Sequence, residues 1–200
     1  MVEQIIILVI FFFSVIIHEI SHGYIALLNG DDTAKIMGRL TLNPISHIDP
    51  FGTIIFPLFL FLIHSPFIIG MAKPVPINPF NFRDQDKGML TVGLAGPLSN
   101  ILLGTIFALL VRFLPAGPGR DIFLFSAYIN YILAFFNLIP IPPLDGSRVL
   151  AVFLPYNIRI RYESIERFGI FIVIIILFLF NIGNLLFTFT QAIVNPIAGL

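Results

Sequence analysis

The sequence of 200 residues has no cysteine and no tryptophan, and only 11% of it is charged. The missing cysteine excludes disulfides, thiolate metal sites and cysteine nucleophiles, so any bound metal must be held by nitrogen and oxygen. A soluble domain carries about 25% charged residues, whereas here the charge is scarce and 58% of residues are hydrophobic. Net charge is zero and the charges cluster between apolar runs, which leaves no basic face; nucleic acid is not an expected partner. The opening residues Val2-Glu3-Gln4 carry an acid where a signal peptide carries positive charge. No small-residue cleavage pattern follows, so the first apolar segment is expected to be retained.

What is present is a series of apolar runs near the roughly 20 residues that cross a bilayer. The pattern predicts spans over 4–28, 88–113, 121–139 and about 166–188, with a further apolar stretch over 51–70 broken by Pro57 and by His64-Ser65-Pro66. The fold class expected is an all-α polytopic membrane protein with about four to six transmembrane segments. Prolines 74, 76 and 79 push the residues before them out of the α region, so 71–79 is expected to be extended. Short β-like pieces are expected at Arg39-Leu40-Thr41-Leu42 and at 73–77. No repeat and no polar stretch long enough for a second domain is found. A single domain over 1–200 follows, with its core at about 4–155.

Inside the first span stands His18-Glu19-Ile20-Ser21-His22. On a helix, residues i and i+4 lie one above the other, so both imidazoles reach one metal ion while the intervening Glu acts on water beside it. Ionisable groups at membrane depth are costly and point to function. Of the eleven acids, nine fall at segment ends or in loops, and Glu19 and Asp145 are embedded. Zinc, one ion per chain, held by two histidines and a third protein ligand, matches a catalytic site with one open position. Asp145 is the natural third ligand because it follows the proline-broken stretch Pro140-Ile141-Pro142-Pro143-Leu144, where freed backbone groups need polar surroundings. Its competing role is to cap the helix that follows. His47, in a polar loop, and His64, beside Ser65-Pro66, are weaker rivals.

His18-Glu19-x-x-His22 together with Asn137-x-x-Pro140-x-Pro142-x-x-Asp145-Gly146 resembles the site-2 protease family of intramembrane zinc metalloproteases. Gly96-Pro97-Leu98-Ser99-Asn100 and the loop from Asn43-Pro44 to Phe51-Gly52 are similar to its compact prokaryotic members, and the likeness covers roughly 14–155. The resemblance implies that His18, His22 and Asp145 bind zinc and that Glu19 is the general base. It also implies that Asn137 hydrogen-bonds the substrate backbone or the developing oxyanion. Implied partners are transmembrane protein substrates and the lipid bilayer, and the implied location is a prokaryotic cell membrane.

The ligands constrain topology. His22 lies in the later half of its helix and Asp145 at the end of the 121–139 segment, so these two helices are expected to run the same way. With 88–113 crossing, that points to a re-entrant 51–79; a full crossing stays open where the ligands meet at mid-membrane depth, because Asp145 follows an unwound stretch. Basic residues agree: with a re-entrant element, Lys35, Arg39, Lys73, Arg83, Lys87, Arg148, Arg159, Arg161 and Arg167 share one side, and Arg112 and Arg120 the other. This places the N-terminus outside and the active site nearer the cytoplasmic face.

A protease must also unwind its helical substrate, because a helix hides its carbonyls in internal hydrogen bonds. Arg39–Asn43 and 73–77 are candidates for pairing with an unwound substrate or for covering the metal cavity. Two alternatives stay open. One is a prenyl-protein-processing metalloprotease with Glu163 or Glu166 as third ligand; the other is a non-proteolytic metal-binding protein or divalent-metal transporter.

Overall fold

The structure, a computed structural model, describes residues 2–55, 58–59, 62–63 and 72–200. Its helices are α1 (Val2–Leu28), the single turn α2 (Thr33–Ile36), α3 (Gln85–Val111), α4 (Pro118–Asn137), α5 (Asp145–Val152), α6 (Tyr156–Glu163), α7 (Gly169–Leu179) and α8 (Ile182–Ala198). Local chemistry explains the boundaries. Asp84 caps α3 by accepting from the Lys87 amide at 3.0 Å. Pro118 stands in the first turn of α4, where its missing N–H costs nothing.

The central element is α3, against which α1, α4, α5 and α8 all pack. Small residues make the close approach possible. A Cβ on Gly104 would lie 2.7 Å from the Tyr131 ring of α4. Below that contact, Ala108, Val111, Ala127, Tyr131, Val194 and Ala198 join α3, α4 and α8 in one buried cluster. Around this narrow core the exterior is apolar: Ile5, Leu8 and Val9 on α1 and Leu98, Leu102 and Ile106 on α3 are all exposed. A surface of that kind suits lipid and not water. Among the described residues two helices, α1 and α3, are long and apolar enough to cross a membrane, and the bent pair α7–α8 would make a third if it forms one span. The wider expectation of four to six spans exceeds what these helices account for.

Helix directions follow from cross-helix contacts. Ser14, Asn100 and Asn130 meet at one level, while His22 meets Val92 and Asp145 at the next. Thus α1 and α4 run the same way and α3 runs against both, as the ligand argument required. At the far end of α1 the Arg83 amide donates to Asn29 O at 2.9 Å, and Asn29 Nδ2 donates to Thr91 Oγ1 at 3.0 Å. The connection 29–84 therefore leaves and returns at the same end of the bundle. Part of the re-entrant element expected within 51–79, residues 56–57, 60–61 and 64–71 with His64 among them, lies outside the described residues.

Two expectations are revised. Among the described residues there is no strand. The segment 72–78 is irregular and is tethered by side chains, with Arg39 Nη2 donating to Lys73 O at 2.7 Å and to Pro74 O at 3.3 Å. Pro74 and Pro76 have no N–H to offer a ladder, which is the physical reason. The last span also differs from 166–188: α7 stops at Leu179, the chain turns at Asn181 in the left-handed region (φ 49°), and α8 continues at 71° to it as far as Ala198.

Candidate metal centre

Two elements deliver the three side chains of the site. His18 and His22 project from one face of α1, and Asp145 is the first residue of α5. The two Nε2 atoms are 3.0 Å apart, and Asp145 Oδ2 is 3.1 Å from that of His18 and 3.2 Å from that of His22. All three residues are buried. Gly146 lets α5 begin here, since a Cβ at that position would lie 2.2 Å from Leu138 O.

The far sides of both rings are held. His18 Nδ1 meets Asn100 Oδ1 at 2.6 Å, and His22 Nδ1 meets Val92 O at 2.7 Å. Both partners are acceptors, so each Nδ1 carries the proton and each Nε2 presents a lone pair. Two lone pairs and a carboxylate oxygen thus face one another at about hydrogen-bond distance, an arrangement that a cation reconciles. The edge of a tetrahedron around zinc with bonds of 2.0–2.1 Å is about 3.3 Å, close to the separations seen. A closed N, N, O donor triangle without sulfur fits zinc with a fourth position left for water or substrate. The cradle is closed from α3 by Gly96, where a Cβ would stand 2.4 Å from His22 Nε2 and 2.5 Å from His18 Nε2.

Glu19 lies outside the donor triangle. Its Oε2 accepts the Val75 amide at 2.8 Å, so the tethered segment 72–78 reaches over the helix at this point. A cavity of about 400 Å³ is lined by Val75 and Val92, the backbone partners of Glu19 and His22, and by Ser147, Arg148, Glu163 and Glu166.

The remaining candidates sort themselves by contact. His47 is fully buried in the loop, with Nε2 donating to Thr41 O at 2.8 Å and its carbonyl accepting from Lys73 N–H at 3.0 Å. It serves as a tether for the loop. Asn137 Nδ2 donates to Leu133 O at 3.0 Å, within its own helix. Glu163 accepts from Arg159 Nε at 3.0 Å. Among the described residues, His18, His22 and Asp145 are the acidic and imidazole groups gathered for a metal.

Sequence reasoning passed over Val92 and Asn130, noticed Asn100 only as part of a motif, and singled out Arg39 and 73–77 for charge placement and substrate pairing but not for holding Glu19. Asn100 and Asn130 had a readable signal, being carboxamides inside apolar helices. Val75 and Val92 act through backbone atoms and left none.

The chain's residues 116–180 match the sequence pattern of Peptidase family M50. It is 42% identical over 178 residues to YwhC of Bacillus subtilis, provisionally named a zinc metalloprotease, covering 84% of this chain and 77% of that protein. It is 26% identical to Rip2 of Mycolicibacterium smegmatis, also provisionally named a zinc metalloprotease, over 82% of this chain and 63% of that one. It is likewise 26% identical to the zinc metalloprotease MJ0392 of Methanocaldococcus jannaschii, over 73% of this chain and 33% of that one. No solved structure matches the chain significantly.

Proposed function

The chain belongs to peptidase family M50, the zinc metalloproteases of the site-2 type, and from that premise we propose that it hydrolyses peptide bonds of transmembrane proteins at His18, His22 and Asp145. The observation that carries the reading is the meeting of three buried acceptors, each about 3 Å from the others, in an apolar helix bundle. Such a group is expensive without a cation. When bound there, zinc supplies a Lewis acid that polarises a carbonyl and makes water nucleophilic at neutral pH.

The protein's own residues do the rest. Asn100 and Val92 hold the rings so that both Nε2 lone pairs point to one place. Glu19, one residue after the first ligand, takes a proton from the attacking water and returns it to the leaving amine. Its Oε2 is held by Val75, which leaves Oε1 as the oxygen for the proton. Asn137 is assigned to the substrate backbone or the oxyanion on the family resemblance; its Nδ2 donates to Leu133 O within α4. The 72–78 segment, pinned by Arg39, supplies backbone groups beside the site to hold an unwound substrate. Connection 29–84 returning to its own side supports a re-entrant 51–79. The basic residues gathered there support a cytoplasmic position for that end, with the N-terminus outside.

The test is cleavage of a single-span substrate by purified protein in detergent, wild type against Glu19→Gln, with zinc measured on both. The variant should keep its zinc and lose about 10²–10⁴-fold in rate. Equal cleavage by both would remove Glu19 from the mechanism. Zinc bound with no cleavage of any substrate by the wild type would favour a metal-binding protein without protease activity.

A further inference from the structure

Behind His18 lies a chain of buried amides that no catalytic step uses. Asn100 of α3 accepts from His18 Nδ1 with Oδ1, and its Nδ2 donates to Asn130 Oδ1 at 3.0 Å and to Ser14 O at 3.4 Å. Asn130 of α4 in turn donates Nδ2 to Ser126 O at 2.9 Å and to Ser14 Oγ at 3.0 Å. Ser14, Asn100, Ser126 and Asn130 are all buried, none more than 2% exposed.

The direction of this chain is set at its far end. Ser126 O is a carbonyl and only accepts, so the amide end of Asn130 must face it and the oxygen must face Asn100. That oxygen, at 3.0 Å, and the more distant Ser14 carbonyl, at 3.4 Å, both require the NH₂ of Asn100, which turns the Asn100 oxygen toward His18. An oxygen there requires a proton on His18 Nδ1 and leaves Nε2 bare. A flipped Asn100 would present NH₂ to Nδ1, drive the proton to Nε2 and take one donor out of the triangle.

We infer that Asn130 is a positioning residue for the metal centre: through Asn100 it selects the His18 tautomer able to bind zinc. The inference rests on the reading of His18 as a ligand. His22 provides a built-in control, because its Nδ1 bonds to the Val92 carbonyl, which cannot flip, and has no link to Asn130.

The experiment is ¹⁵N-histidine NMR on the zinc-loaded protein, reading the hydrogen-bonded Nδ1–H of His18 and His22, together with zinc affinity by chelator competition, for wild type, Asn130→Leu and Asn130→Asp. Wild type should show the Nδ1–H tautomer at both His18 and His22. Asn130→Leu should lose that state at His18 alone and bind zinc about 10- to 100-fold more weakly. Asn130→Asp keeps an acceptor toward Asn100 and should recover most of the affinity. An Nε2–H tautomer at His18 in the wild type would overturn the inference, whatever the variants do. So would Asn130→Leu with unchanged zinc affinity. Zinc binding in wild type that survives His18→Ala would overturn the ligand assignment itself, which separates that failure from this one.

Discussion

The Val75 amide donates to Glu19 Oε2 at 2.8 Å, so one oxygen of the proposed general base is held by a segment 56 residues away. The segment is in turn pinned by Arg39, which is buried and donates to Lys73 O and Pro74 O. Orientation of the base thus depends on a loop tether and not on the helix alone.

Val75→Pro deletes the donor, and Val75→Ala keeps it. A hydrogen bond to a charged group contributes about 1.5–3 kcal/mol, so Val75→Pro should lower kcat about 10- to 100-fold while zinc content holds. Val75→Ala should stay near wild type. Steady-state kinetics on one substrate, with metal analysis, checks both; equal rates in the two variants would remove the tether from catalysis.

Gly96→Ala places a methyl group 2.4–2.5 Å from both ligand nitrogens. Neither ring can retreat, since Asn100 and Val92 hold them from behind. Zinc affinity should fall beyond the roughly 10–100-fold of an outer-shell change, with helix content by circular dichroism preserved. Normal zinc stoichiometry in this variant would mean that the rings sit elsewhere.

Asp145→Asn removes the anionic donor, while Glu163→Gln touches only the pair with Arg159. Metal analysis should show zinc lost from the first and retained by the second. The reverse pattern would favour the prenyl-processing type of site with its downstream glutamate.

Asp31 sits just past α1, where burial pushes its carboxyl up. Hydrogen bonds from Thr33, the Asn78 amide and Asn81 outweigh burial and hold it below the usual carboxylate range. A depressed folded value contributes stability above the unfolded pKa of about 4, lost as pH falls through the folded one. Thermal unfolding in detergent should show wild type losing stability below about pH 4. Asp31→Asn should be about 1–3 kcal/mol weaker at pH 7 and flatter against acid. Parallel pH curves would exclude this role.

The apolar runs around 4–28, 88–113 and 121–139 were legible because helix length and lipid contact are both written in local composition, and α1, α3 and α4 match them to within three residues at each end. The β-like reading of 73–77 failed because prolines that favour an extended backbone say nothing about whether a partner strand lies beside it, and they remove the N–H groups that would pair. The break inside the last apolar stretch was not read, because one polar residue, Asn181, leaves the stretch apolar as a whole while its left-handed backbone ends one helix and starts another.

The sequence by itself determined the chemistry available: two imidazoles at i and i+4 on one helix, an acid between them, a second acid after a run of prolines, and no sulfur. These are short-range facts, settled by helix geometry and side-chain type. Only the tertiary structure decided which way each ring nitrogen points, what closes the cradle and what steadies Glu19. Those depend on groups from other elements, Val92, Gly96 and Asn100 on α3, Asn130 on α4 and Val75 in a loop, 56 to 116 positions from the α1 residues they meet. Contacts at such separations arise from packing helices against one another, and hydrophobic periodicity carries no record of them.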